Sequence, residues 1–144
     1  MKNEKKAVSR EVAISEFAKF LRKYKAKELR RGIIKESEIG EDYIDAIEAI
    51  EDGLLVFDDK NHPKYTLREP LGGADSELGA KEIVFRSRIR PSERANVMSG
   101  LDVAKDQGKF TLRYLAFITG LAVLELDKLN SDDYDVINQV SSVF

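Results

Sequence analysis

The stretch LLVFDDKNHPKYTLREPL, from Leu54 to Leu71, is where the pattern of the chain changes. Leu54–Phe57 and Tyr65–Leu71 are short runs rich in residues that favour strands, and the turn chemistry of DDKNHPK separates them. A third run, EIVFRSRI from Glu82 to Ile89, follows the glycine-containing segment GGADSELG. Alternation places Ile83, Phe85 and Ile89 on or near one side of that run. A three-stranded antiparallel meander is the expected result. Pro70 limits the second strand, while Pro91 terminates the third and stands where a helix can begin.

On both sides of this block the periodicity is helical. Before it, Ser9 can cap a helix whose apolar positions Val12, Ile14, Phe17, Ala18, Leu21 and Tyr24 recur near helical spacing. Gly32, after Arg30 and Arg31, reads as its stop, giving one long amphipathic helix. A second helix is expected from about Ser37 to Asp52, with Tyr43, Ile44, Ile47 and Ile50 as its stripe and Gly53 as its end. Charge separates by helix. Lys19, Arg22, Lys23, Lys25, Lys27, Arg30, Arg31 and Lys35 make the first basic; Glu36, Glu38, Glu41, Asp42, Asp45, Glu48, Glu51 and Asp52 make the second acidic. An antiparallel pair of complementary charge follows from that pattern.

After the strands, SERANVMSG reads as a short helix ended by Gly100, and LDVAKDQGK as a polar connection or a further short helix. Phe110–Thr119 is apolar most of the way round, which predicts a helix at the centre of the helical packing, ending at Gly120. A short segment from about Ala122 to Lys128 precedes a last helix. Asn130 or Ser131 is its N-cap, aspartates fill its first turn, and Val136, Val140 and Val143 form its apolar face. The fold class is therefore α+β and mainly helical. A small three-stranded antiparallel sheet lies between an N-terminal helical pair, residues 1–53, and a C-terminal helical cluster within residues 54–144, in one compact domain overall.

Composition removes several functions. A length of 144 residues suits one domain, and 24 basic against 26 acidic side chains leave a net charge of -2, which argues for neither nucleic acid nor disorder. With no cysteine, disulfides, thiolate metal sites and a cysteine nucleophile are excluded. The N-terminal residues lack a signal peptide's apolar core, and the longest apolar run falls short of the roughly 20 residues that span a bilayer. A cytoplasmic protein without a membrane segment is expected.

Candidate chemistry is thin. His62 is the only histidine and lies in a turn. The surrounding DDKNHPK fails as a calcium loop, since Pro63 takes a ligand slot and Lys64 the place of the required glycine. LGGADSELG lacks the lysine-serine/threonine ending and the strand-to-helix placement of a phosphate cradle. Asp42, Asp45 and Glu48 could do acid and base work only if burial split their pKa values, and they read as a solvated face. No catalytic residue, metal ligand or cofactor site is expected, and the chain reads as non-enzymatic. The order helix, turn, helix, hairpin also fits a winged DNA-binding regulator using the basic first helix, but the second helix would offer carboxylates to phosphates.

YTLREPL, EIVFRSRIRPSERANVM and YLAFITGLAVLELDKLNSDDYDVINQVSSVF together carry a recognisable pattern. A strand ends in proline, as at Leu67 and Pro70. An arginine-rich strand is followed by a helix-starting proline, as at Arg88, Arg90 and Pro91. A helix then meets a threonine-glycine-leucine corner and a leucine-aspartate-leucine segment, as at Leu115, Thr119, Gly120, Leu121, Leu126 and Leu129, before an aspartate-capped final helix that ends in phenylalanine, as at Asp133 and Phe144. The pattern, spanning about Gly53 to Phe144, resembles the tail assembly chaperones of long-tailed phages, especially those encoded before the tape measure protein in contractile-tailed phages and prophages.

That resemblance implies a chaperone in the bacterial host cytoplasm, needing no cofactor. Such a protein keeps the tape measure protein soluble and recruits tail tube protein during tail morphogenesis. It also implies a longer frameshifted form and admits a homo-oligomer. Helix-in-groove recognition through Leu115, Ile118, Leu121, Leu124 and Leu129 would suit that role. Residues 1–53 are an extension relative to the family, and Ala122 stands where the family places serine or proline. A structural subunit of a phage tail or contractile injection machine remains a further reading.

Overall fold

The computed structural model describes residues 7–71, 82–86, 89–102 and 104–144. Helix α1 (Arg10–Tyr24) begins at Ser9, whose hydroxyl accepts the Val12 N–H, as the capping residue predicts. The single long helix expected there is broken: Lys25 leaves helical geometry at φ -128°, and a short α2 (Ala26–Arg30) follows. The second expected helix is likewise divided. A 3₁₀ turn (Glu36–Glu38) leads into α3 (Ile39–Asp42), Tyr43 departs at φ -122°, and α4 (Ile44–Glu51) completes it. The apolar stripe is the same in both readings, but the break lets Tyr43 turn its ring onto Phe17, with centroids 4.8 Å apart.

Helices α1 and α4 are antiparallel, and their apolar faces make the contact. Ala13, Phe17, Phe20 and Leu21 on one and Ala46, Ile47, Ala49 and Ile50 on the other are buried. Complementary charge trims this pair rather than driving it. Arg10 to Glu51 at 2.8 Å and Arg22 to Glu36 at 3.0 Å tie its two ends, and both members of the second pair are exposed, where an ion pair stabilises little.

The end of α4 aims the chain into the sheet. Gly53 sits at φ +76°, its N–H bonds the Ile50 carbonyl, and the Leu54 N–H bonds that of Ala49. This pair of bonds is a Schellman cap, which needs a left-handed residue at the glycine. A Cβ on Gly53 would also stand 3.1 Å from that of Ala7.

Strands β1 (Leu55–Phe57), β2 (Pro63–Thr66) and β3 (Glu82–Val84) form the expected antiparallel meander in that order. Register puts Leu55, Tyr65 and Ile83 in one cross-strand row, all buried, and Val56, Lys64 and Val84 in the outward row. Pro63 opens β2, where its missing N–H interrupts no ladder within the strand. The turn between β1 and β2 is closed by Asp58, whose carboxylate accepts the Lys60 and His62 N–H groups. Those bonds, the His62 one foremost, hold the Asp58 carboxyl below its ordinary range.

The remaining helices are α5 (Pro91–Met98), α6 (Gln107–Thr119), α7 (Val123–Leu126) and α8 (Ser131–Ser141). Helix α5 starts on Pro91 as expected, and Asn130 caps α8 by accepting the Asp133 N–H at 2.7 Å. Helix α6 departs from expectation: it is peripheral, and only Leu115, Ile118 and Thr119 are buried on it. The rest of its apolar pattern is half-buried: Leu112, Tyr114, Ala116 and Phe117 pack against the edge of the core, and cations cover the outer faces of two rings, with the Arg86 guanidinium 4.2 Å over Phe117 and Arg94 5.7 Å from Tyr114. The central helix is α8. It packs on α4, and Val136, Ile137 and Val140 are buried there, with Val143 just beyond its end. Gln139 fixes that contact by donating to Asp45 at 2.7 Å and accepting the Ala46 N–H at 2.9 Å.

One core joins both halves of the chain. Residues 7–53 contribute ten of its buried apolar side chains, from Ala13 to Ile50, against Leu55 to Val143 from the rest. An aromatic cluster closes it, in which Phe144 meets Phe20, Tyr24 and Phe85 at centroid distances of 5.5, 4.9 and 6.4 Å.

Asp133 is the buried carboxylate beside this core, with no exposed surface. Its carboxylate accepts the Tyr65 hydroxyl at 2.5 Å, the Arg68 N–H at 2.9 Å and the Glu69 N–H at 3.1 Å. Removing it strands those donors, so Asp133→Ala should lower unfolding free energy by on the order of 3 kcal/mol or more in urea titrations, and Tyr65→Phe by about 2 kcal/mol. Burial, and then the Asp133 carboxylate, push the Tyr65 phenol above its ordinary range. The unfolded chain ionises this tyrosine from about pH 10 while the folded chain keeps it protonated, so stability should fall as pH rises above about 10. Tyr65→Phe should flatten that alkaline fall. Gly53→Ala, which forces a Cβ into the left-handed region, should cost about 1 to 2 kcal/mol in the same titrations.

Candidate partner-binding surfaces

The residues of the resemblance are placed as structural elements. Thr119, Gly120 and Leu121 make the corner after α6: the Thr119 hydroxyl donates to the Leu115 carbonyl at 2.7 Å and accepts the Leu121 N–H at 3.2 Å. The Arg86 N–H takes up the Ile118 carbonyl at 2.9 Å, so the exit of the sheet caps this helix end. Ala122 donates its N–H to Glu125, which starts α7 without a capping side chain. Leu126 is buried beneath it, Arg90 is exposed before Pro91, Pro70 is half-buried after Glu69, and Asp133 is the buried acceptor described above. Arg88 and GGADSELG lie outside the described residues.

The five apolar residues expected to recognise a partner do not share one surface. Leu115, Ile118 and Leu121 are buried in the core. Leu129 is half-buried against the same core. Leu124 alone stands out, 76% exposed on α7. Helical spacing identified them as apolar, but two helix faces and a corner direct them to different places.

The apolar opening lies elsewhere, between α5 and α6. Met98, Leu101 and Phe110 line a groove of about 320 Å³, with Asp102, Gln107 and Thr111 at its border. None of the residues of α5 is buried. Polar and cation contacts hold the helix: Arg86 to Glu93 at 3.1 Å, the Arg90 N–H to Glu93 at 3.1 Å, and Arg113 to the Ser99 carbonyl at 2.8 Å. Phe110 stacks on Tyr114 one turn later, centroids 5.9 Å apart. A signal for this groove existed in the Val97–Met98 tip of an otherwise polar helix, facing Leu101 across Gly100.

A second concavity, of about 260 Å³, lies between α4 and α8 and is polar. Asp45, Glu48, Asp52 and Asp132 surround it, Val136 is at its floor, and Arg68 reaches Asp52 at 2.8 Å. Among the described residues no group of three or more His, Asp or Glu side chains could hold a metal ion. His62 is in the β1–β2 turn, its Nδ1 3.7 Å from Asp58. No described helix is long and apolar enough to cross a membrane. Comparison with protein families, with curated proteins and with solved structures gives no match.

Because α5 is tied by a few surface contacts, its amide hydrogens should exchange with solvent well before those of α4 and α8. Native-state hydrogen exchange resolved by mass spectrometry should show α5 opening in a step of its own, at lower free energy than global unfolding.

Proposed function

We propose that this chain is a non-enzymatic tail assembly chaperone of a phage or prophage, acting in the host cytoplasm. It holds the tape measure protein soluble and presents it to tail tube protein. The observation that carries this reading is the open groove of Met98, Leu101 and Phe110 under a weakly held helix. A groove of that kind suits the apolar side of an amphipathic helix, which a long helical partner would repeat many times. The pattern shared with the family, from Leu67 to Phe144, supports the same reading. Exposed Leu124 adds a second apolar contact point.

The test is co-expression with the tape measure protein encoded beside this chain, with measurement of the soluble, co-purifying fraction. Rescue is expected, and Met98→Asp with Phe110→Asp should reduce it about tenfold or more, since both side chains are lost from the contact. Far-ultraviolet circular dichroism of the variants should be unchanged, because neither residue is buried. A tape measure protein that precipitates as it does alone would defeat the proposal. Salt-sensitive DNA binding would then favour a regulator, and retention in finished particles a structural subunit.

A further inference from the structure

The end of α2 presents an apolar side chain within a cluster of cations. Arg31 closes the helix, Gly32 follows at φ +73°, the Gly32 N–H bonds the Leu29 carbonyl, and the Ile33 N–H bonds that of Glu28. This is the same Schellman cap that ends α4. In such a cap the residue after the glycine ordinarily packs back on the last turn. Here that residue, Ile33, is 70% exposed. Lys27, Arg30 and Arg31, spaced to share one face of α2, are exposed, as is Lys35 beyond the turn. No ion pair joins these four to a described carboxylate, while Glu28 and Glu36 are engaged by Lys25 and Arg22. The turn is thus a hydrogen-bonded basic knob with an aliphatic tip.

Its electrostatic complement is on the same molecule. Helix α4 carries Asp45 and Glu48, and its C-cap Asp52 continues the row at spacings of three and four; α8 sets Asp132 and Val136 opposite them, and a concavity of about 260 Å³ separates the two rows. Like charges at these spacings destabilise a helix pair unless cations come between them. Among the described residues lining that space, Arg68, bound to Asp52, is the cation. The knob follows the C-terminal end of α1.

We propose that the basic α2 turn of one copy docks on the acidic α4–α8 face of a second copy. Lys27, Arg30 and Arg31 approach Glu48 and Asp132, and Ile33 enters the concavity above Val136. The two patches differ, so the contact is heterologous: each copy keeps a free knob and a free acidic face, and association continues into rings or open chains instead of stopping at a two-fold dimer. The inference does not depend on the identity of the chaperone's client.

Sedimentation velocity of the full chain across a range of concentrations and salt tests it. Species beyond a dimer are expected at low ionic strength, with the association constant falling about tenfold or more between roughly 0.05 M and 0.5 M salt, as exposed charges are screened. Arg30→Glu with Arg31→Glu should remain monomeric, and so should Glu48→Lys with Asp132→Lys. Mixing the two variants should restore association, because each then offers the charge the other lacks. That rescue separates a docking contact from a folding defect, and circular dichroism checks each variant alone. A wild-type chain that stays monomeric at low salt would overturn the proposal, as would self-association indifferent to both charge reversals. Monomers that bind anionic vesicles or DNA through Arg30 and Arg31 would assign the knob to another partner and overturn it equally.

Discussion

The carboxylate of Asp133 ties the sheet to the last helix, and the packing of the rest of the molecule depends on that tie. A buried anion is tolerated only when its lone pairs are filled, and here three donors fill them, all from Tyr65 to Glu69. The same residue is third in α8, where its N–H is taken by the Asn130 cap. One side chain therefore fixes the start of the central helix, the end of β2 and the path of the chain between them. Asn130 reinforces this by donating to Glu69 at 3.1 Å. Once α8 is placed, its valines cover α4, and α4 in turn brings α1 and the aromatic cluster into the core.

This dependence explains why residues 7–53 are not an appendage. Helix α8 needs a partner for Val136, Ile137 and Val140, and α4 is that partner, fastened through Gln139 to the N-terminal turn of α4. Glu51, itself buried, holds Arg10 through its carboxylate and takes the Ala7 and Val8 N–H groups on its carbonyl. An extra helical pair added to a chain that folded without it would be expected to present polar residues to α8. The buried face of α4 is instead alanine and isoleucine, with Glu51 at its end engaged by Arg10.

Much of the fold was legible in local chemistry, since caps and turns act over a few residues. Ser9, Gly32, Gly53, Pro91, Gly120 and Asn130 all mark real boundaries, and period-two alternation placed Ile83 and Phe85 on the inner side of the sheet. What the sequence could not disclose was distance. Tyr65 and Asp133 are 68 residues apart, and nothing local to Asp133 distinguishes a dipole-facing carboxylate from a buried acceptor. Helix breaks at Lys25 and Tyr43 were equally hidden, because neither residue is a breaker; tertiary packing of the Tyr43 ring overrides its local preference. The division between core and surface among the leucines was hidden for a related reason. Apolar spacing identifies what avoids water, and core and binding face avoid it alike, so the burial of Leu115, Ile118 and Leu121 could not be read from their spacing.

Stability and exposure divide the molecule in a way that bears on its use. The α1–α4–α8 core and the sheet's inner row concentrate the apolar burial, with Asp133 at the junction. Helix α5, without a buried residue, and the α2 knob, with an exposed aliphatic tip, lie outside that concentration. A surface that must accept a partner's helix has to release whatever covers it beforehand, and the free energy of that release subtracts from affinity. Holding α5 by arginine contacts on rings and carbonyls keeps that subtraction small, while the α2 turn is already open and fixed by its cap. The first arrangement suits a partner that is grasped and later surrendered. The second suits one that arrives ready folded, which a second copy of this chain would do.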